Sequence, residues 1–355
     1  MDAAFQEMES ALVSSCSHFN TLLILKGNHQ KNTENITRRV IAPEQSDIVF
    51  NGINQSLLNL VDSIEKVDLK PEFLRGNLNS TDGKIALHDH HKFTCDRIEQ
   101  SDHFHNLVAT NQIKKVNFFS ILGIELQSHE GVFNRFAYDM EGKLLDYLNP
   151  NMHTECESLK VPLTFDSSNN LTVYKQNILK SLFTALKVTP MDNGPILEKK
   201  LSFLLDKSPM LSKLGAEDFV CIFLNISQWD WDAKITPLVT RWFITEFCQD
   251  NLPESSPTFQ FFFGLVMDED DEGMQIEIRE AIEKSEFIMR LPELGMVKPK
   301  DLHKWFAKYN FVINNSRDRK QKVKELFGGQ TEKYMEDVEL DLKKIIDHYN
   351  NRLLG

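Results

Sequence analysis

Cysteine is scarce in this chain and never paired in a motif. Cys16, Cys95, Cys156, Cys221 and Cys248 are odd in number and scattered, with no C-x-x-C. That pattern excludes a disulfide framework and points to free thiols in a reducing compartment. Long apolar runs are missing as well: no stretch approaches the ~18 residues that a membrane span requires. The N-terminus, MDAAFQEMES, is acidic and has no signal-peptide core, so a cytoplasmic location without membrane attachment is expected. Positive charge is in deficit, with 40 Lys and Arg against 52 Asp and Glu and a net charge of -12. Broad, sequence-independent binding to nucleic acid is therefore not expected. No internal repeat or low-complexity segment stands out.

What is present fits an ordinary globular chain, 41% apolar and 26% charged over 355 residues. That length carries a prior of roughly two to three domains. Residues 1–70 read as a small helical module. Ile48, Val49, Ile53, Leu57, Leu58, Leu60, Val61 and Ile64 recur at helical spacing, and Pro43 suits a helix start. Residues 71–92 have the Pro, Gly, Asn, Ser and Asp content of a linker. Across 93–312 apolar strand-like runs alternate with helical stretches. The strands are Val116–Leu122, Leu159–Phe165, Phe219–Ile226, Phe259–Val266 and Phe287–Leu291; the helices are 131–147, 171–187, 195–206, 235–249 and 299–309. Continuous apolar strands separated by helices imply an α/β fold: a five-stranded parallel sheet of P-loop type, covered on both faces. Residues 313–355 form a charged helical extension. Its apolar stripe, Val323, Leu326, Phe327, Val338, Leu342, Ile345, Ile346 and Tyr349, is expected to pack on the core, with contact to a partner as the alternative.

The most telling stretch is VNFFSILGIELQSHE, Val116 to Glu130. A phosphate-binding loop reads G-x-x-x-x-G-K-[ST] between a strand and a helix. Gly123 supplies the first glycine. Ser128 stands for the second, His129 for the lysine, and Glu130 for the hydroxyl that holds Mg²⁺. The loop curls its backbone N–H groups round an anion, which needs residues at positive φ, where a Cβ is penalised. Glu130 would add a repulsive carboxylate. The strand that should end in an acid, Val220 to Leu224, runs into Asn225, which cannot be an anionic Mg²⁺ ligand. An active NTPase is therefore not expected, and neither is a cofactor.

Other signals have plainer readings. His88, His90 and His91, with Cys95, His103 and His105 beyond, lack compact four-ligand spacing, so they read as surface or packing histidines and no metal is assigned. MDEDDEG, Met267 to Gly273, reads as a solvated acidic loop, and Gly328-Gly329-Gln330 as a helix C-cap before a new helix.

The chain resembles the inactive STAND domains, relatives of signal-transduction NTPases that have lost their catalytic residues. On the residues alone, an ordinary α/β strand–turn–helix with no ancestral phosphate loop is an equal reading; the resemblance rests on CDRIEQSDHF (Cys95 to Phe104), FFSILGIELQSHEGVFNRF (Phe118 to Phe136) and FVCIFLNISQWDW (Phe219 to Trp231). LVTRWFITEFC (Leu238 to Cys248), FQFFFGLV (Phe259 to Val266) and LPEL with DLHKWF (Leu291 to Phe306) complete it. The segment from Leu22 to Ile64 is similar to an effector-associated domain, with a final helix bearing Ile53, Asn54, Leu57, Leu58, Leu60 and Asp62. These resemblances imply a non-catalytic adaptor, scaffold or sensor in a bacterial conflict system, antiviral defence or signalling. Its first module would pair with a protein effector, through a surface around Arg38, Arg39, Asn54 and Asp62, and homo-oligomers are possible. The alternatives are a STAND-type switch that binds nucleotide without hydrolysis, and an enzyme with an unrecognised site.

Overall fold

Two strands, β1 (Val116–Ile124) and β4 (Thr258–Met267), are buried along almost their whole length. That is the mark of central strands in a sheet covered on both faces. The computed structural model describes residues 85–110, 114–148, 154, 156–189 and 195–354. The helical module at 1–70, with Arg38, Arg39, Asn54 and Asp62, lies outside the described residues. The chain divides into two compact units, and the elements named below belong to the one formed by Ala86–Asp146 and Met152–Gly355.

The sheet is parallel and five-stranded, in the order β2-β3-β4-β1-β5, where β2 is Ser158–Thr164, β3 is Phe219–Ile226 and β5 is Met289–Arg290. β2 is an edge strand, so Pro162 can sit in it without breaking an inner ladder. β1 pairs with β4 from Val116↔Phe259 to Ile124↔Met267. That register brings Phe119 and Phe262 together, with ring centroids 5.2 Å apart.

Alternation along β1 sends Phe118 and Phe119 to opposite faces. Phe119 joins a cluster with Phe104 of α1 (Ile98–Thr110) and Val132, Phe133 and Phe136 of α2 (His129–Met140). Phe118 joins the larger core, built from α3 (Leu171–Ala185), α4 (Leu201–Lys207), α5 (Ile235–Trp242) and α6 (Glu272–Glu283). Right-handed crossovers produce this division, since the connection from β1 runs one way along the sheet and the later ones run back. Local signals set the helix ends. Asn170 caps α3 by accepting from the Thr172 and Val173 amides. Asp271, from the acidic loop, caps α6 by accepting from the Met274 amide.

Three helices close the chain: α7 (Pro299–Lys308), α8 (Ser316–Phe327) and α9 (Met335–Leu354). Val323, Phe327, Val338, Leu342 and Ile346 of the expected stripe are buried. Gly328, at φ 56°, ends α8 in the left-handed conformation that glycine adopts without strain. The Asn350 side chain of α9 pairs with both backbone groups of Leu87.

Several expectations need correction. The helix read over 131–147 starts at His129 and stops at Met140. The stretch 195–206 divides into a 3-10 turn, Ile196–Glu198, and α4. The helix at 235–249 changes at Phe243 into a π turn reaching Phe247. β5 is two residues long, because β1 is its single neighbour and pairs with it only at Phe119 and Ser120. α1 and α6 were not anticipated.

Candidate functional site

In a parallel sheet, ligands bind outside the carboxyl ends of strands, where neighbouring crossovers leave for opposite faces. Here that place lies between β1, which leads to α2 on one face, and β4, which leads to α6 on the other. The degenerate loop is therefore at the position that would bind a ligand.

The loop curls without glycine. Leu126 and Ser128 hold φ values of 66° and 55°. Left-handed backbone costs a residue with a Cβ roughly 1–2 kcal/mol, so other contacts must hold the turn. Arg97 provides them from the segment before α1. It is 2% exposed, and its guanidinium donates to the Gln127 carbonyl and Gln127 Oε1, both at 3.1 Å. It also reaches the Gly295 carbonyl at 2.8 Å. Asp96 pairs with Arg97 at 3.2 Å. Burial pulls the guanidinium below its ordinary range and Asp96 partly offsets this.

His129 fills the space between the two strand ends. It is buried, and Nε2 lies 3.2 Å from the Leu265 carbonyl. Burial pushes the imidazole down to about 4. The ring is thus neutral at pH 7, and Nε2 carries the proton that the carbonyl accepts. Close approach here depends on glycine: a Cβ at Gly123 would lie 3.3 Å from His129 Nε2 and 2.9 Å from Leu294 Cβ. Leu294 itself donates its amide to the Leu122 carbonyl at 2.8 Å.

The last occupant comes from α9. Ser128 precedes α2 but its side chain makes no cap hydrogen bond to it. Its hydroxyl donates instead to Glu339 Oε1 at 2.7 Å. A Cβ at Gly131 would lie 2.3 Å from that oxygen, so the carboxyl group rests against the first turn of α2. A helix N-terminus favours an anion at this place. Burial raises the Glu339 carboxyl to about 7, against the pull of Ser128, Lys92 and Arg97. The Glu336 amide, also on α9, donates to the Leu126 carbonyl at 3.1 Å.

Of the residues singled out in the sequence, Gly123, Ser128 and His129 meet in this crevice. Glu130 points to solvent. Asn225 lies on β3, paired with Gly264 of β4. Arg97, Leu294 and Glu339 complete the site and were missed. Arg97 lies within the CDRIEQSDHF signature, but no local signal marks Glu339.

The histidines separate. His88 and His103 are exposed, and His105 pairs with Asp139 at 3.2 Å. Cys95 is a buried thiol pushed above its usual range by desolvation. His90 and His91 both contact Asp146. No helix among the described residues is long and apolar enough to cross a membrane.

Residues 92–265 match the model of the inactive STAND family. α6 to α9, and with them Glu339, follow the matched stretch. No curated protein matched the chain. From the turn before α1 through β4, this chain carries an inactive STAND domain.

Proposed function

We propose that the protein is a non-catalytic scaffold of a bacterial conflict system, defence or signalling, which recruits an effector protein through residues 1–70. The observation that carries the reading is the occupied crevice: His129, Arg97 and Glu339 pack against the loop at the carboxyl ends of β1 and β4. The buried cation there, Arg97, holds backbone carbonyls, and the acidic group present would repel phosphate. A domain that keeps the sheet and fills its ligand position suits assembly better than turnover. Arg38, Arg39, Asn54 and Asp62 are proposed for the pairing surface, in the cytoplasm.

The test has two parts. The full-length protein should release no phosphate from Mg-ATP above a buffer blank. Arg38→Glu with Arg39→Glu should abolish capture of a separately encoded effector. Measurable turnover, lost in a Glu130→Ala variant, would sink the scaffold reading. Unchanged capture would remove the proposed pairing surface.

The runner-up is a nucleotide-binding switch without hydrolysis. It draws on one contact: Glu339 sets a carboxyl group at a helix N-terminus, and a phosphate could displace it together with α9.

A further inference from the structure

We propose that His90, His91 and Asp146 form a binding site for one divalent transition-metal ion of the zinc class. The site is separate from the crevice. It is formed by the 3-10 turn Asp89–Thr94 and by the residue that follows the turn Lys143–Leu145. His90 Nε2 lies 3.0 Å from Asp146 Oδ2, and His91 Nε2 lies 2.6 Å from Asp146 Oδ1. The three ligand atoms lie within 4.8 Å of one another. A tetrahedral zinc ion with bonds of about 2.0–2.2 Å keeps its ligands roughly 3.3 Å apart. The widest pair therefore needs to close by at most about 1.5 Å to hold an ion at those bond lengths.

The hydrogen bonds behind His91 orient its ring as they would for a metal ligand. Thr94 Oγ1 donates its proton to the His91 carbonyl at 2.7 Å. Its 2.9 Å contact with the Tyr309 hydroxyl is then one in which Tyr309 donates. With that proton used, the Tyr309 oxygen accepts from His91 Nδ1, also at 2.9 Å. The neutral ring so assigned carries its proton on Nδ1. Its Nε2 then faces a carboxylate oxygen at 2.6 Å, a contact that needs a cation between them, either a second proton on the ring or a metal ion. Metal-bound histidines are oriented in this manner, by a hydrogen bond from the nitrogen that does not bind.

The surroundings favour the same ion. His91 is fully buried, whereas the His90 and Asp146 side chains are 12% and 17% exposed. Entry and a fourth ligand from water are therefore open on their side. His90 is held flat against Tyr138, with ring centroids 4.7 Å apart. Two imidazoles and one carboxylate are a donor set for zinc and its first-row neighbours, and a poor one for Ca²⁺ or Mg²⁺.

The full-length protein, stripped with a chelator and dialysed, should be titrated with ZnCl₂ in competition with a chromophoric chelator. One Zn²⁺ per chain is expected. His90→Ala and Asp146→Asn should each abolish stoichiometric binding, while His103→Gln, an exposed histidine outside the cluster, should leave it unchanged. Tyr309→Phe should weaken binding by about 10- to 100-fold, the effect of losing the hydrogen bond that orients a metal-bound imidazole. Circular dichroism establishes that each variant is folded. Co²⁺ absorption of the wild-type protein gives a readout independent of any substitution, expected in the d–d region of a four-coordinate N/O site. Absence of stoichiometric Zn²⁺ binding by the wild-type protein overturns the proposal, as does binding that survives both His90→Ala and Asp146→Asn.

Discussion

Ser128 Oγ and Glu339 Oε1 are 2.7 Å apart although 211 residues separate them in sequence. This bond joins the start of α2 to the final helix and places a carboxyl group at the ligand position of the sheet. The Glu339 side chain shares its surroundings with Lys92, Arg97 and Glu336, and burial is what moves its titration most.

Glu339 gives the fold a defined pH dependence. Its carboxyl is raised from 4.5 to about 7 in the folded state, so between those values the folded chain binds more protons than the unfolded chain. The contribution is fully present below the unfolded value and is lost as pH rises through 7, with a slope of up to about 1.4 kcal/mol per pH unit. Urea unfolding from pH 4.5 to 8 should show this component in the wild-type protein and lose it in Glu339→Gln. Equal slopes for both proteins would mean that Glu339 is solvated.

Gly131 admits the Glu339 carboxyl, since a Cβ there would lie 2.2 Å from Ser128 Oγ and 2.3 Å from Glu339 Oε1. Gly131→Ala should destabilise the wild-type protein by about 1–3 kcal/mol, the usual effect of overpacking. In a Ser128→Ala, Glu339→Ala background the same change should be stabilising, since alanine is favoured over glycine in a helix by roughly 1 kcal/mol. Chemical denaturation of the four proteins in this cycle measures the coupling. Additive effects would show that the three residues do not share the space.

Gly264 has a similar role inside β4. A Cβ there would lie 2.5 Å from two carbons of the Phe223 ring, and that ring is stacked on Phe133 with centroids 5.3 Å apart. Phe223 cannot rotate away, so Gly264→Ala should lower stability by about 1–3 kcal/mol, visible as a lower urea midpoint. An unchanged midpoint would mean that this face of the sheet is loosely packed.

Restoring the loop's residue types should not restore its chemistry. In His129→Lys with Glu130→Thr, an ammonium group would enter a buried site lined by the Leu265 carbonyl, with Arg97 already nearby. No phosphate release from Mg-ATP is expected, and a lower unfolding midpoint than wild type. ATP turnover by this variant would show that the crevice opens readily.

Much of this was legible in the sequence, because strand burial is a local property. Phe219–Ile226 reads as a continuous apolar run and is β3 to the residue. α1 was not anticipated, since Gln100 and Ser101 occupy its buried face beside Phe104. α6 escaped because it opens in the acidic loop and buries only Ile278 and Ile282. The degenerate loop could be seen from Gly123, Ser128 and His129, but its occupants could not. Arg97, Leu294 and Glu339 reach it from other segments of the chain, by tertiary packing that leaves no spacing to read. The same holds for His90 and His91: their partner Asp146 lies 55 residues beyond His91.

The chain's own side chains occupy the ligand position of the sheet. Calorimetric titration of the full-length protein with Mg-ATP, from micromolar to millimolar concentration, is the test of that occupancy. No saturable heat is expected for the wild-type protein. Saturable binding, lost when Gly131→Ala narrows the start of α2, would contradict it and establish the domain as a nucleotide-binding switch.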